Sequence, residues 1–228
     1  MQSLSSVSIC FWANAMEKIG LFPLNVVMFP NSSMPLHIFE PRYKQLVGAS
    51  LAEHKPFGIN LVDSSKLYQT GCTVEVSEVT KTYPDGRMDI IVTGKQRYTL
   101  NGLREGEELY YVGMIEPFDD VEHDVDSTLR YECIKLHNEV IEIAFPLAME
   151  EYRLSELDPD ATISFSIAQK AGLNVLRKQE LLELRSENQR LKVLKEYMEG
   201  LLPDLRQKHR IQQVIMSDGY LPRNFSQR

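Results

Sequence analysis

The hydrophobic pattern of this 228-residue chain changes period once, near residue 120. Upstream, short apolar or alternating runs separated by Gly, Pro and Asn predict strands: GINLV at 58–62, CTVEVSEV at 72–79, RMDIIVT at 87–93 and LYYVGMIE at 109–116. Tyr83-Pro84-Asp85-Gly86 supplies a tight turn between the second and third, which makes them a hairpin. Its inward rows are Cys72, Val74 and Val76 on one strand and Met88, Ile90 and Val92 on the other. Val79 is out of phase, which places a bulge near Ser77 or Glu78. Earlier still, Val26 to Phe29 is a continuous apolar run, read as a buried strand stopped by Pro30 and the turn Asn31-Ser32-Ser33. Met34, Leu36 and Ile38 then alternate with Pro35 and His37; a proline has no amide proton for a ladder, so this strand belongs at an edge. Pro41 fits the first turn of a helix whose inward face is Tyr43, Leu46, Val47 and Leu51.

Downstream the spacing is helical. Thr128 to Phe145 repeats Leu129, Cys133, Leu136, Val140, Ile143 and Ala144 and is closed by Pro146. Asp158-Pro159 reads as a cap and first-turn proline opening a helix toward Gly172, and Ser186 with Gln189 as a capping box for the last long helix. There Leu191, Leu194, Met198, Leu201 and Leu205 follow a heptad rhythm, with a kink or break expected at Gly200 and Pro203. This row suits the interior of a helical bundle, or alternatively pairing with a second subunit in a homo-oligomer.

Two segments carry a specific resemblance. LFPLNVVMFPNSSMPLHIFEPRY, Leu21 to Tyr43, resembles the opening of the N-terminal domain of Lon-type ATP-dependent proteases, and more closely the stand-alone bacterial proteins made of that domain. KQELLELRSENQRLKVLKEYM, Lys178 to Met198, is similar to the helical part of the same domain. The resemblance covers Ile19 to Ile215 and implies an α+β protein: a PUA-like β pseudo-barrel followed by a helical bundle. The expected organisation is an N-terminal extension or mis-assigned start over 1–16, a β-rich unit over 17–118, a helical bundle over 119–216 and a tail over 217–228.

Composition adds limits rather than identity. Apolar residues make up 43% and charged residues 25%, as in ordinary globular proteins, and no stretch approaches the roughly 20 apolar residues of a membrane span. Val7 to Trp12 has no Lys or Arg ahead of it, which argues against a secretory signal. The odd set Cys10, Cys72 and Cys133 suits neither a disulfide framework nor a metal site, so a reducing cytoplasm is expected. Charge is polarised: residues 121–160 hold eleven acids against three bases, and 161–228 seven against twelve, so the two blocks attract each other.

Motifs for chemistry are missing. The closest approach to a phosphate loop, Val92-Thr93-Gly94-Lys95-Gln96, lacks the first glycine and the magnesium-binding Ser or Thr, and Gly94 is read as a bend. The five histidines show no ligand spacing, so no metal and no cofactor are expected, and the acidic loop around His123 lacks the glycine of a calcium site. The resemblance implies a non-catalytic protein that binds unfolded or tagged polypeptides, alone or with a separate Lon protease. The expected surface is Met34, Pro35, His37 and Phe39 on the rim strand with Tyr83 and Met88 at the hairpin. Two alternatives stand beside it: an enzyme with an unrecognised site, and an RNA-binding module on which Lys81, Arg87, Lys95, Arg97 and Arg104 line one face. A net charge of -7 weighs against nucleic acid.

Overall fold

The strands β1 (Glu17–Leu24), β2 (Ser33–Ile38), β3 (Phe57–Asp63), β4 (Lys66–Thr82), β5 (Met88–Arg104) and β6 (Val112–Pro117), with helix α1 (Pro41–Glu53), build the first unit of an α+β protein. The computed structural model describes residues 17–104, 108–122, 124–155 and 162–217, and the chain divides into one unit through Asp119 and another from Asp120. The extension before Glu17, the Asp158-Pro159 cap, His123 and the tail after Ser217 lie outside the described residues.

β1 and β3 pair in parallel and all other neighbours are antiparallel, in the order β2-β5-β4-β3-β1-β6. One edge of β5 carries two partners in succession: β2 along Met88 to Thr93, then β6 along Tyr98 to Arg104. The second pairing closes β1, β3, β4, β5 and β6 into a ring and leaves β2 at the edge, where Pro35 can be tolerated. The register slips between Val76 and Glu78, where the phase of Val79 requires a bulge.

Two apolar layers result from strand alternation. Ile19, Leu21, Leu100 and Ile115 gather around the buried Tyr98. The ring has room for Tyr98 because Gly58 and Gly71 have no side chain: a Cβ on either would lie 2.3 or 2.6 Å from its phenol. The Tyr98 hydroxyl donates to Asn60, whose amide donates to the Tyr68 carbonyl at 3.0 Å. On the other side Phe22, Phe57, Ile59, Val74, Ile90 and Val92 pack with Tyr43, Leu46 and Val47 of α1. Leu51 is only half-buried; Ser50 takes the inner position, its hydroxyl donating to the Lys55 carbonyl at 2.6 Å.

The expected strand at Val26 to Phe29 is not one. The strand lies upstream as β1, and residues 26–29 are irregular although Val27, Met28 and Phe29 are buried. Burial makes the run apolar, but its polar backbone is satisfied by the local turn: the Ser32 hydroxyl accepts from Phe29 N at 3.1 Å and donates to Phe29 O at 2.7 Å.

The second unit holds α2 (Ser127–Ala144), α3 (Met149–Tyr152), α4 (Ile163–Lys170), α5 (Val175–Glu183) and α6 (Glu187–Ser217). Asp126 caps α2, Asn174 caps α5, and the Ser186 hydroxyl accepts from Gln189 N at 3.2 Å at the start of α6. Helix α6 continues through Gly200 and Pro203 rather than breaking there. Its buried stripe, Leu191, Leu194, Met198 and Leu202, is set by packing, with Leu202 in place of the expected Leu201. In α2 the buried face turns toward Ile134, His137 and Ile141, leaving Leu136 and Ile143 half-buried. The opposite charge blocks meet along these two helices through Lys195–Glu132 at 2.8 Å and Arg206–Glu139 at 2.6 Å.

The fully buried Arg190 ties the unit together. Its guanidinium donates to Asp120 at 2.8 and 2.5 Å, to Glu187 at 3.2 and 2.8 Å, to the Ser164 hydroxyl at 2.8 Å and to the Leu184 carbonyl at 2.8 Å. Replacing Arg190 by Ala leaves the buried Glu187 uncompensated and is expected to cost about 3–5 kcal/mol in urea unfolding, whereas Arg206→Ala, at a solvent-screened exposed pair, is expected to cost far less. Burial also holds the His137 imidazole below its ordinary value of 6.5, while its Nε2 meets the Tyr152 carbonyl at 3.0 Å. The unfolded chain therefore binds this proton more readily than the folded one. Stability from this group is complete above pH 6.5 and declines below it, by at most about 1.4 kcal/mol per pH unit. A His137→Gln variant that folds is expected to show a flatter decline in melting experiments between pH 7 and pH 5.

Candidate functional site

The edge pairing of β2 on β5 separates the residues expected at a binding surface into two faces. Met34, Leu36 and Ile38 turn toward the α1 core, and Met88, opposite Ile38, does the same. Pro35 and His37 point outward. His37 lies opposite Asp89, and its Nδ1 meets the Asp89 carboxylate at 2.5 Å. The Tyr83 hydroxyl donates to the other Asp89 oxygen at 2.8 Å. These bonds, that of His37 foremost, hold the Asp89 carboxyl below the usual range.

The outward side is an aromatic cluster. The Phe39 ring, 58% exposed, stacks on His37 with centroids 5.9 Å apart, and Tyr83 meets His37 edge-on at 5.9 Å. Lys81 and Arg87 lie over the Tyr83 ring at 4.5 and 4.9 Å. The structure thus brings His37, Phe39 and Tyr83 together beside Pro35, and puts Met34 and Met88 beneath them. Asp89 fixes this cluster; its alternation with the inward Met88 and Ile90 turns it outward, and the pairing of β2 with β5 sets it across from His37.

A second feature had no signature in the sequence. Between α1 and the strands β1, β3 and β6 lies a hollow of about 200 Å³. Leu46, Ala49, Phe57, Tyr110 and Val112 form apolar walls, and Glu53, Lys55 and Glu108 stand at its margin. Lys55 is paired with Glu53 at 2.8 Å, whereas Glu108 accepts from the Gln45 amide at 2.7 Å. Burial, then the carboxylates of Glu108 and Glu53, raises the pKa of the Tyr110 phenol.

The cations named for an RNA surface do not make an open stripe. Arg97 is buried at 5% exposure over the Phe118 ring, Lys95 pairs with Glu75 at 3.0 Å, and Arg87 pairs with Asp85 at 2.7 Å. Among the described residues no group of three or more His, Cys, Asp and Glu is placed to hold a metal ion, and no helix is long and apolar enough to cross a membrane.

A family model described as the ATP-dependent protease La (LON) substrate-binding domain matches residues 18–200. The chain is similar to Lon protease 2 of Herpetosiphon aurantiacus, with 24% identity over 217 residues covering 90% of this chain and 26% of that protein. It is also similar to Lon protease of Parabacteroides distasonis, with 30% identity over 154 residues covering 58% of this chain and 18% of that protein. It therefore spans about a quarter of the length of such curated relatives, or less. Among solved structures, the Lon N-terminal domain protein from Xanthomonas campestris matches with a TM-score of 0.61 and 20% identity, covering 78% of this chain and 97% of that one. The N-terminal domain of Mycobacterium avium complex Lon protease matches with a TM-score of 0.64 and 17% identity, covering 80% and 98%. At these identities the likeness is one of fold.

Two thiols lie within the described residues, and neither is set up for chemistry. Burial pushes both Cys72 and Cys133 up to about 12, far from the thiolate form that attacks electrophiles. Iodoacetamide at pH 8 is expected to leave both unlabelled in the native protein and to label both in urea, as read by peptide mass spectrometry.

Proposed function

From the premise that this chain belongs to the LON substrate-binding domain family, we propose that it is a non-catalytic module that holds unfolded or tagged polypeptides. The observation that carries this reading is the aromatic cluster formed by the exposed Phe39 and His37 at the end of the edge strand β2 and the half-buried Tyr83 of the hairpin, next to Pro35. Unfolded chains present the apolar side chains that folded proteins hide, and a rigid aromatic surface captures them at low entropic cost. The hydrogen bonds of Asp89 to His37 and Tyr83 keep the surface in one arrangement before a client arrives. Its chemistry is retention: no nucleophile stands beside the His37 imidazole among its described contacts, and the two buried thiols are inert. The held polypeptide is then available to a separate Lon protease or kept from aggregating, in a reducing, cytoplasmic setting.

Anisotropy titration with a fluorescently labelled, permanently unfolded protein, reduced and carboxymethylated, tests the reading against the same protein in its native form. The unfolded form is expected to bind and the native form not to. Phe39→Ala, at a side chain that bears no part of the core, is expected to weaken binding roughly five- to tenfold with an unchanged melting temperature. Equal binding of the two forms, or indifference to Phe39→Ala and His37→Ala alike, contradicts it.

A further inference from the structure

We infer that the hollow under α1 is a subsite for one long basic side chain, lysine or arginine, of the bound polypeptide; this rests on the polypeptide-binding reading and adds a preference to it. Its size is the first argument. Pockets for whole small molecules occupy about 300–1,000 Å³, whereas this one holds about 200 Å³, the scale of a single side chain. The absence of a side chain at Gly20 keeps it open, since a Cβ there would stand 2.4 Å from Leu46 and 2.9 Å from the Tyr110 ring.

Its chemistry is the second argument. The walls are aliphatic and aromatic, and the margin is acidic. The lining holds two carboxylates, Glu53 and Glu108, against one ammonium, Lys55, which Glu53 and, more weakly, Glu17 hold in its charged form. Lys55 is paired with Glu53 at 2.8 Å, whereas the Glu108 carboxylate, beside Tyr110, meets the uncharged Gln45 amide among the described residues. The Tyr110 phenol is raised by its burial first and by the carboxylates of Glu108 and Glu53 second, so both are close enough to act on a group in the hollow. A lysine or arginine matches both halves: its methylene stem lies against Leu46, Ala49 and Val112, and its charged head reaches Glu108 and the Tyr110 ring. A carboxylate side chain would be repelled by the margin, and an aliphatic one would fill the hollow without using the charge. This complements the Phe39 surface, which offers stacking but holds its own carboxylate, Asp89, in internal bonds.

The test uses fluorescein-labelled unstructured peptides, each with the same flanking apolar residues, differing at one central position: arginine, lysine, norleucine or glutamate. The full-length protein is expected to bind the arginine and lysine peptides roughly tenfold more tightly than the glutamate peptide, with norleucine between them. Raising the salt concentration should narrow the spread. Glu108→Gln preserves the bond to Gln45 and should reduce the advantage of arginine over norleucine to near one. Ala49→Leu, which fills the hollow from a helical position, should abolish ranking among the four while leaving the Phe39-dependent binding. Circular dichroism melts of both variants establish that they fold. If peptides bind without ranking, or if the ranking survives Ala49→Leu, the subsite is overturned and the general reading stands. If none of the four binds, both are overturned.

Discussion

The close approach of the Phe29 carbonyl to Gly94 is the contact on which the β-unit depends. A Cβ at Gly94 would sit 2.1 Å from that oxygen, so no other residue can occupy the position without moving backbone. The approach is stitched by two hydrogen bonds, Asn31 N to Gly94 O at 2.9 Å and Gly94 N to Ser32 O at 2.8 Å. These bonds fall where the edge of β5 changes partner. On one side β2 pairs with it and carries His37; on the other β6 pairs with it and closes the ring around Tyr98. One local constraint thereby sets both the register of the aromatic surface and the closure of the barrel. It also accounts for the irregular path of Val26 to Phe29, which is pulled against β5 as a loop instead of extended as a strand.

The helical unit is organised differently, around charge. Arg190 spends its donors on Asp120, Glu187, Ser164 and Leu184 while its plane lies over Phe165 at 4.4 Å. Such a network is stable only when complete, because each unpaired member would be a buried charge or an unsatisfied buried polar group. Exposed pairs along α2 and α6 add less individually, yet their direction is consistent: acids on α2 face bases on α6.

Much of the fold was legible because it follows from period and punctuation. The hairpin around Tyr83 to Gly86, its bulge after Val76, the proline-bearing edge strand and the Pro41 helix all arise from local rules that tertiary packing does not overrule. What was hidden depended on contacts distant in sequence. Gly94 reads as a bend until Phe29 is placed against it. Leu202 displaces Leu201 because packing, not heptad spacing, chooses the buried stripe. Gly200 and Pro203 read as a kink or a break, and α6 runs on through both without breaking. At the candidate site, alternation along β2 assigns Met34 and His37 to opposite faces, but only the partnership with β5 reveals Asp89 as the residue that fixes His37. The hollow was illegible for a further reason: it is defined by the missing side chain of Gly20 and by four elements converging from separate parts of the chain.

On the proposed function, this protein is a rigid surface for holding an unfolded chain. Hydrogen–deuterium exchange with and without a saturating unfolded client tests that most directly. Slowed exchange is expected over 33–39 and 83–91 and around the hollow at 46–57 and 108–112, with 187–205 unchanged. Protection confined to the helical unit, or no protection at saturation, would contradict it.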